Sequence, residues 1–122
     1  MTGDELARGI EEGTVAVLDV RSREEFAGEV GYPCDPRQGH IPGAAHLEWS
    51  DLYAGEGRPH DAQAIRPLLE KLGLDPEGPI VVYCHSGQRS EFAAVALRSA
   101  GLDAENYQGS WHEWSRRDEA SP

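Results

Sequence analysis

The sequence IVVYCHSGQRSEF, residues 80–92, connects a short apolar run to the start of a helix through a turn that contains glycine. The run Ile80–Tyr83 is rich in β-branched residues and predicts a buried strand. The helix is expected to begin at Ser90 and to end at Gly101. Cys84 therefore lies where a strand delivers a thiol to a helix N-terminus. Free N–H groups and the helix dipole favour an anion at such a terminus, so this stretch predicts a site of anion chemistry.

Strands and helices alternate along the rest of the chain. Val15–Val20 is an almost continuous apolar run, as expected for a strand that is covered on both faces. Short strands are predicted over Ala44–Leu47 and Ala104–Tyr107, whereas residues 27–39 and 51–60 are expected to be irregular. This alternation predicts an α/β fold with an open, mainly parallel sheet of about five strands and helices on both faces.

Capping residues indicate where the other helices begin. Side chains of Ser, Thr and Asp cap free N–H groups, and a Glu three residues further on completes a capping box. Pro67 is expected to interrupt one helix, because proline cannot donate a backbone hydrogen bond. Capping boxes are expected at Thr2 with Glu5 and at Ser110 with Glu113, and Asp61 is expected to cap a helix that runs to about Leu72. Arg21–Phe26 is expected to form a turn and a single helical turn.

Length, net charge and cysteine content exclude several classes of protein. A chain of 122 residues suits one domain, so residues 1–122 are expected to form a single domain. The formal net charge of -11 argues against nucleic acid as a partner, because binding to phosphates requires a basic surface. No apolar run approaches the roughly 20 residues that span a bilayer, so no membrane association is expected. The acidic N-terminal segment and the two cysteines, Cys34 and Cys84, favour a cytoplasmic location over a secreted disulfide scaffold.

The loop from Cys84 to Arg89 has features that activate a thiol. In a tight loop, successive backbone N–H groups can point inward and form a nest for negative charge. Gly87 permits a positive φ without steric strain. Such donors favour the thiolate, so the pKa of Cys84 is expected to lie below the value of about 8.5 for a free cysteine. The alternative is that Cys84 is only a small buried residue at the end of a strand.

Four segments of the chain form an ordered pattern: CHSGQRS at residues 84–90, LDVR at 18–21, GHIPGA at 39–44 and YQGSWHEW at 107–114. The first resembles the active-site loop of the rhodanese (thiosulfate sulfurtransferase-like) family. LDVR resembles the first core strand of the family with its following turn, and GHIPGA resembles the central motif of the family. YQGSWHEW resembles the terminal motif of the thiosulfate and mercaptopyruvate sulfurtransferase branch. A lone C-x-x-G-x-R would be a weak indication, but four ordered motifs span most of the chain.

This resemblance implies a sulfurtransferase that works through a persulfide. Cys84 would take sulfur from a small anionic donor such as thiosulfate and pass it to cyanide or a thiol. A thioredoxin-like or other acceptor protein is a further implied partner. Arg89 would either reach the substrate or support the loop from behind. No metal or organic cofactor is implied. The residues that would bind substrate and persulfide are His85, Ser86, Gly87, Gln88, Arg89 and Ser90.

Two other functions remain open. A sulfur-carrier module would use the same Cys84 persulfide to supply a partner protein, with little turnover of small molecules. A cysteine-dependent phosphatase or arsenate reductase is disfavoured, because only four residues separate Cys84 from Arg89 and the pocket would be small. A phosphatase also needs a general acid, and neither Asp35 nor Asp51 has a motif around it.

Several polar and aromatic residues are candidates for the cleft or its support. Asp19 and Arg21 are more readily explained as a structural ion pair. His40 either faces the cleft or belongs to an exposed loop, and His85 is expected to face solvent. Trp111 either borders the cleft or packs in the core.

Cys34 lies in a segment rich in glycine and proline and has two interpretations. It is a candidate resolving thiol that would form a disulfide with Cys84 and release the transferred sulfur as sulfide. An incidental exposed cysteine is the simpler explanation. Zinc binding is not expected from the sequence, because no paired spacing of ligands is present.

Overall fold

A parallel sheet lies at the centre of this computed structural model, which describes residues 1–55 and 57–117. Within these residues the sheet has four strands in the order β2-β1-β5-β6, so it is smaller than the sheet of about five strands that the sequence predicts. Two further strands form a separate antiparallel hairpin. The strands are β1 Ala16–Asp19, β2 Ala45–His46, β3 Tyr53–Gly55, β4 Arg58–Pro59, β5 Ile80–Tyr83 and β6 Ala104–Asn106.

Helices cover both faces of this sheet, as predicted. They are α1 Gly3–Glu12, α2 Arg23–Ala27, α3 Ala62–Lys71, α4 Gln88–Ser99 and α5 Ser110–Trp114, and a 3-10 turn spans Trp49–Leu52. Among the described residues, none of the helices combines the length and the hydrophobicity needed to cross a bilayer.

Strand β5 separates two hydrophobic cores, because neighbouring side chains on a strand point to opposite faces. Val82 and Cys84 belong to the core that contains Leu69 of α3 and Leu97 of α4. The second core lies on the other face of the sheet and contains Leu6, Val17, Ile41, Val81, Tyr83, Tyr107, Trp111 and Trp114. The parallel pairing of β5 with β1 and β6 brings three strand ends together next to Cys84.

Two of the predicted helix starts are confirmed. The side chain of Thr2 accepts a hydrogen bond from the N–H of Glu5, and Glu5 completes the capping box. Asp61 caps α3 by accepting from the N–H of Ala64. Both caps satisfy N–H groups that have no partner within the helix, which explains where these helices begin.

Pro67 does not interrupt α3, so that prediction is wrong. The helix continues from Ala62 to Lys71 with Pro67 inside it. Ile65 and Leu69 lie one turn apart on either side of the proline, and both are completely buried. Their packing holds the two halves of α3 against the same core, which outweighs the backbone bond that proline cannot make.

The predicted start of α4 and the predicted cap of α5 differ from the structure. Helix α4 begins at Gln88 with Gly87 as its N-cap, not at Ser90. Helix α5 begins at Ser110, as predicted, but Ser110 makes no capping bond to Glu113. In both cases the serine hydroxyl binds the Cys84 segment instead: Ser90 Oγ donates to Cys84 Sγ, and Ser110 Oγ accepts from the N–H of Cys84.

Residues 51–60 are more regular than expected, because they contain the end of the 3-10 turn and the β3–β4 hairpin. The hairpin lies near the exposed side of α4. There the Tyr53 hydroxyl donates to the backbone oxygen of Phe92 at 2.8 Å. Phe92 remains 54% exposed, and it borders an open apolar groove of about 850 Å³ together with Trp49 and Val95.

Candidate active site

The main chain of Cys84 is held between β5 and α5. Its N–H donates to Ser110 Oγ at 3.1 Å, and its carbonyl accepts from the N–H of Trp111 at 2.9 Å. Ser110 adopts a φ of 53°, a left-handed conformation that is uncommon for a residue other than glycine. The residue that sequence reasoning assigned to a helix cap therefore fixes the backbone of the cysteine. The Cys84 residue itself is only 1% exposed.

The sulfur of Cys84 receives hydrogen bonds from its own loop and from α4. The N–H of Gly87 donates to Cys84 Sγ at 3.1 Å, and the Ser90 hydroxyl donates at 3.3 Å. Burial alone would raise the pKa of Cys84. The hydroxyl and N–H of Ser90 and the N–H groups of Gly87 and Ser86 outweigh burial, so the pKa is lowered. The loop thus stabilises the thiolate, as the sequence predicts.

Gly87 is the turning point of the loop, and no other residue fits there without strain. Its φ is 96°, and a Cβ at this position would lie 2.8 Å from the backbone oxygen of Gln108. Asn106, at the end of β6, donates from Nδ2 to the Gly87 carbonyl at 3.1 Å. The Gly87 N–H is therefore aimed at the sulfur by contacts that come from the neighbouring strand and its following loop.

Arg89 supports the loop from behind, which is one of its two predicted roles. Its guanidinium donates to both carboxylate oxygens of Glu25, at 2.7 and 3.0 Å. Burial disfavours the charged form of Glu25, but the bonds from Arg89 and Ser22 outweigh it and lower the pKa of Glu25 to about 2. Glu25 also forms the capping box of α2 with Ser22. One carboxylate therefore connects α2 to the Cys84 loop.

His85 does not face solvent, so that expectation is wrong. Its Nε2 lies 2.9 Å from Oδ2 of Asp35, whose side chain is completely buried. Its ring stacks on Tyr32 with 3.7 Å between the ring centroids. The segment around residues 32–35 covers one side of the loop, and this contact explains the burial of His85. Ser86 and Gln88, by contrast, are exposed.

Asp19 and Arg21 form the buried ion pair that the sequence analysis favoured. Arg21 donates to the Asp19 carboxylate through its backbone N–H, Nε and Nη2, with Nη2 at 2.7 Å from Oδ2. Nη2 also donates to the carbonyl of Gly39 at 2.6 Å. The guanidinium lies over the rings of Tyr83 and Trp111. The pair stabilises the junction of β1, β5 and α5 beneath the loop.

Trp111 packs in the core and braces the site, whereas His40 lies at the surface. Trp111 is buried, and its indole N–H donates to the carbonyl of Arg37 at 3.1 Å. His40 is exposed, stacks on Phe26 and contacts the Phe26 carbonyl through Nδ1 at 2.8 Å. Of these two candidates, Trp111 is the one that contacts the Cys84 backbone.

Sequence reasoning missed the partners that orient the loop. Glu25 and Asp35 are 64 and 50 residues from the side chains that they bind. The capping-box spacing of Ser22 and Glu25 predicts a helix start but gives no sign of the bond to Arg89. The sequence predicts that Asn106 lies in a short strand, but it gives no sign of the hydrogen bond from Asn106 to Gly87.

The two cysteines are not joined. Both thiols are free, with Cys34 exposed and Cys84 buried. Cys34 Sγ lies 3.9 Å from Oδ1 of Asp35. A resolving role for Cys34 stays a prediction.

Comparison with known proteins shows which family the chain resembles over almost its whole length. The family model described as "Rhodanese-like domain" matches residues 2–117. The chain is 37% identical over 113 residues to the "Sulfur carrier protein TtuD" of Thermus thermophilus, a match that covers 86% of this chain and 40% of the relative. It is 41% identical over 103 residues to the "Putative thiosulfate sulfurtransferase SseB" of Mycobacterium tuberculosis, covering 84% of this chain and 36% of the relative.

A solved structure superposes on the whole chain. The "Crystal Structure of Probable Thiosulfate Sulfurtransferase" matches with a TM-score of 0.74 and 45% identity, covering 100% of this chain and 46% of that one. The chain thus spans about two fifths of the length of these curated relatives and just under half of the solved one.

Proposed function

The chain belongs to the rhodanese-like domain family of sulfurtransferases, and from this premise we propose that it carries sulfane sulfur as a persulfide on Cys84. The observation that carries the proposal is the pair of donors on the sulfur, the Gly87 N–H and the Ser90 hydroxyl. These donors stabilise a thiolate and can serve equally for the terminal sulfur of a persulfide anion. No metal or organic cofactor takes part in the proposed cycle.

The cycle has two nucleophilic steps. In the first, the Cys84 thiolate attacks the outer sulfur of thiosulfate, the bond between the two thiosulfate sulfurs breaks, and sulfite leaves with the bonding electrons. Cys84 then holds a persulfide anion. In the second, cyanide or a thiolate attacks the terminal sulfur, the S–S bond breaks, and the Cys84 thiolate is regenerated. Cys84 carries one negative charge both as the thiolate and as the persulfide anion, so the same loop donors serve both steps.

The contacts of Arg89 argue against a phosphatase. Both of its hydrogen-bonding arms are engaged by the Glu25 carboxylate, which neutralises the guanidinium charge. A phosphatase requires that charge to bind its anionic substrate. The Asp35 carboxylate, a general acid considered for a phosphatase, is engaged by His85 and Arg116.

A sulfur-carrier role is the second candidate. It is favoured by the 37% identity to a relative named as a sulfur carrier protein. Cys84 would then receive sulfur from, or deliver it to, a partner protein such as a thioredoxin-like acceptor, with slow turnover of thiosulfate. The persulfide chemistry is the same in both candidates, and a cytoplasmic location stays a prediction for either.

Steady-state kinetics separate the enzyme from the carrier. Initial rates of thiocyanate formation are measured over a matrix of thiosulfate and cyanide concentrations, with Cys84→Ser and Cys34→Ser as the paired cysteine variants. A ping-pong pattern that requires Cys84 but not Cys34 is expected for the enzyme. Rates no higher than those of Cys84→Ser, together with rapid transfer from the persulfide-loaded chain to reduced thioredoxin, would favour the carrier instead.

A further inference from the structure

Four side chains from three separate segments meet next to the Cys84 loop, and we call them the rim cluster: Cys34, Asp35, His85 and His112. One ligand atom from each lies within 4.8 Å of the corresponding atoms of the other three. Asp35 is at the centre, with His85 Nε2 at 2.9 Å, His112 Nδ1 at 3.6 Å and Cys34 Sγ at 3.9 Å from its carboxylate oxygens. None of the four is needed as the nucleophile of the proposed cycle.

The donor set of the rim cluster has the chemistry of a zinc site. One thiolate, two imidazoles and one carboxylate are the ligand types that bind Zn²⁺ in proteins. At bond lengths of about 2.0–2.3 Å, tetrahedral ligands lie about 3.5 Å apart. The four ligand atoms lie within 4.8 Å of one another, and His85 Nε2 and Asp35 Oδ2 are 2.9 Å apart, so each spacing needs to change by about 1.3 Å at most for the four atoms to surround an ion.

The backbone around the rim cluster is already held in position. The N–H of His112 donates to the carbonyl of His85 at 2.9 Å, which fixes the two histidines relative to each other. The His85 ring is further oriented by its stacking on Tyr32. Such preorganisation reduces the loss of conformational entropy that accompanies metal binding.

Arg116 supplies the outer support that a ligating carboxylate requires. It donates to Asp35 Oδ1 at 2.9 Å and to the Cys34 carbonyl at 2.9 Å. A carboxylate has about four lone-pair positions, so Asp35 can keep this bond while it binds an ion. The net charge of -11 also favours the approach of a cation.

We propose that the rim cluster is a binding site for one Zn²⁺ ion at the edge of the active-site loop. The ion would connect the segment of Cys34 and Asp35 to the loop through His85 and to α5 through His112. This proposal does not depend on sulfur transfer, because Cys84 is not one of the ligands. It assigns Cys34 a role as a metal ligand.

Titration with Co²⁺ tests the site, because cobalt adopts the same geometry and gives a near-ultraviolet charge-transfer band when a thiolate binds it. The wild-type chain is expected to bind one equivalent of Co²⁺ with this band, and Zn²⁺ should displace it. Cys34→Ser should abolish the band, and His112→Ala should weaken Co²⁺ binding at least tenfold. Both substituted side chains are exposed, so the fold is not at risk.

Two matched variants serve as controls. Cys84→Ser removes the other thiol, and His60→Ala removes a histidine outside the rim cluster; both should keep the band and the affinity of the wild type. The proposal is overturned if Co²⁺ shows no saturable binding, if Cys34→Ser keeps the band, if His112→Ala binds as tightly as the wild type, or if Cys84→Ser loses the band.

Discussion

The Ser90 hydroxyl is the one side-chain donor described on Cys84 Sγ within residues 1–55 and 57–117, and it stabilises the Cys84 thiolate. Removing it as Ser90→Ala is expected to raise the pKa of Cys84 and to slow alkylation by iodoacetamide at neutral pH about fivefold, since such a bond contributes about 1 kcal/mol. The pH profile of the alkylation rate measures this effect, in a Cys34→Ser background and in buffer that contains a chelator.

Ser86→Ala is the matched control for this prediction. The Ser86 side chain is exposed, and its contribution to the sulfur comes from the backbone N–H, which alanine keeps. The midpoint of its pH profile should equal that of the parent. Equal upward shifts in both variants would contradict a specific role for the Ser90 hydroxyl.

The turn at Gly87 gives a prediction about stability. Gly87→Ala places a Cβ against the Gln108 carbonyl in a backbone conformation that disfavours side chains, so the free energy of unfolding should fall by about 3 kcal/mol or more. Gly73→Ala is the control, because Gly73 has a similar φ of 82° and no atom near its missing Cβ. It should cost only about 1–2 kcal/mol. Urea unfolding compares the two, and equal losses would contradict the steric argument.

At the level of elements, the hydrogen bonds that Arg89 donates to Glu25 hold α4 against α2 and make stability depend on pH. The folded-state pKa of Glu25, about 2, lies below the ordinary value of 4.5, so its contribution is present above about pH 4.5 and is lost as the pH falls towards 2. The contribution is at most about 3 kcal/mol. Glu25→Gln should therefore be less stable than the wild type at pH 7, and the difference should shrink between pH 5 and pH 2.

An exposed pair of the same type provides the comparison. Glu77 pairs with Arg66 at 2.6 Å, but its side chain is 75% exposed, whereas that of Glu25 is 11% exposed. Glu77→Gln should change the free energy of unfolding by less than about 1 kcal/mol at every pH. Chemical unfolding across the pH range measures both variants. Losses of equal size would show that burial of the Glu25 pair has no energetic consequence.

The elements that the sequence predicts well are those decided by neighbouring residues. The apolar runs that became β1 and β5, the caps at Thr2 and Asp61, and the glycine turn after Cys84 all depend on contacts over a few positions. Two of the failures share one physical cause. Ser90 and Ser110 have the composition of helix starts, yet their hydroxyls bind the Cys84 segment, which a local pattern cannot reveal.

The candidate site residues also fall into two groups, those predicted from a local pattern and those that depend on contacts between distant segments. Cys84, Gly87 and Arg89 follow from the loop pattern, and the pair of Asp19 and Arg21 follows from its spacing of two. Partners that come from distant segments, such as the Asp35 that buries His85, depend on the tertiary fold. The rim cluster escaped sequence analysis for this reason, since its ligands are not spaced as pairs.

At the scale of the whole molecule, the net charge of -11 should slow the approach of anions. Iodoacetate and iodoacetamide react with a thiolate by the same chemistry but differ in charge, so the ratio of their rates at Cys84 reports the local field. In the Cys34→Ser variant, raising the salt concentration from about 10 to about 300 mM should increase the iodoacetate to iodoacetamide ratio roughly twofold, because salt screens the repulsion. A ratio that falls with salt would mean that the loop donors dominate the field.

Intact mass after treatment with thiosulfate tests the central claim most directly. The account predicts that the chain gains the mass of one sulfur atom, that cyanide removes it, that Cys84→Ser gains nothing, and that Cys34→Ser behaves as the wild type. The account is contradicted if no sulfur is gained by folded protein whose Cys84 still reacts with iodoacetamide, or if Cys84→Ser takes up sulfur as the wild type does.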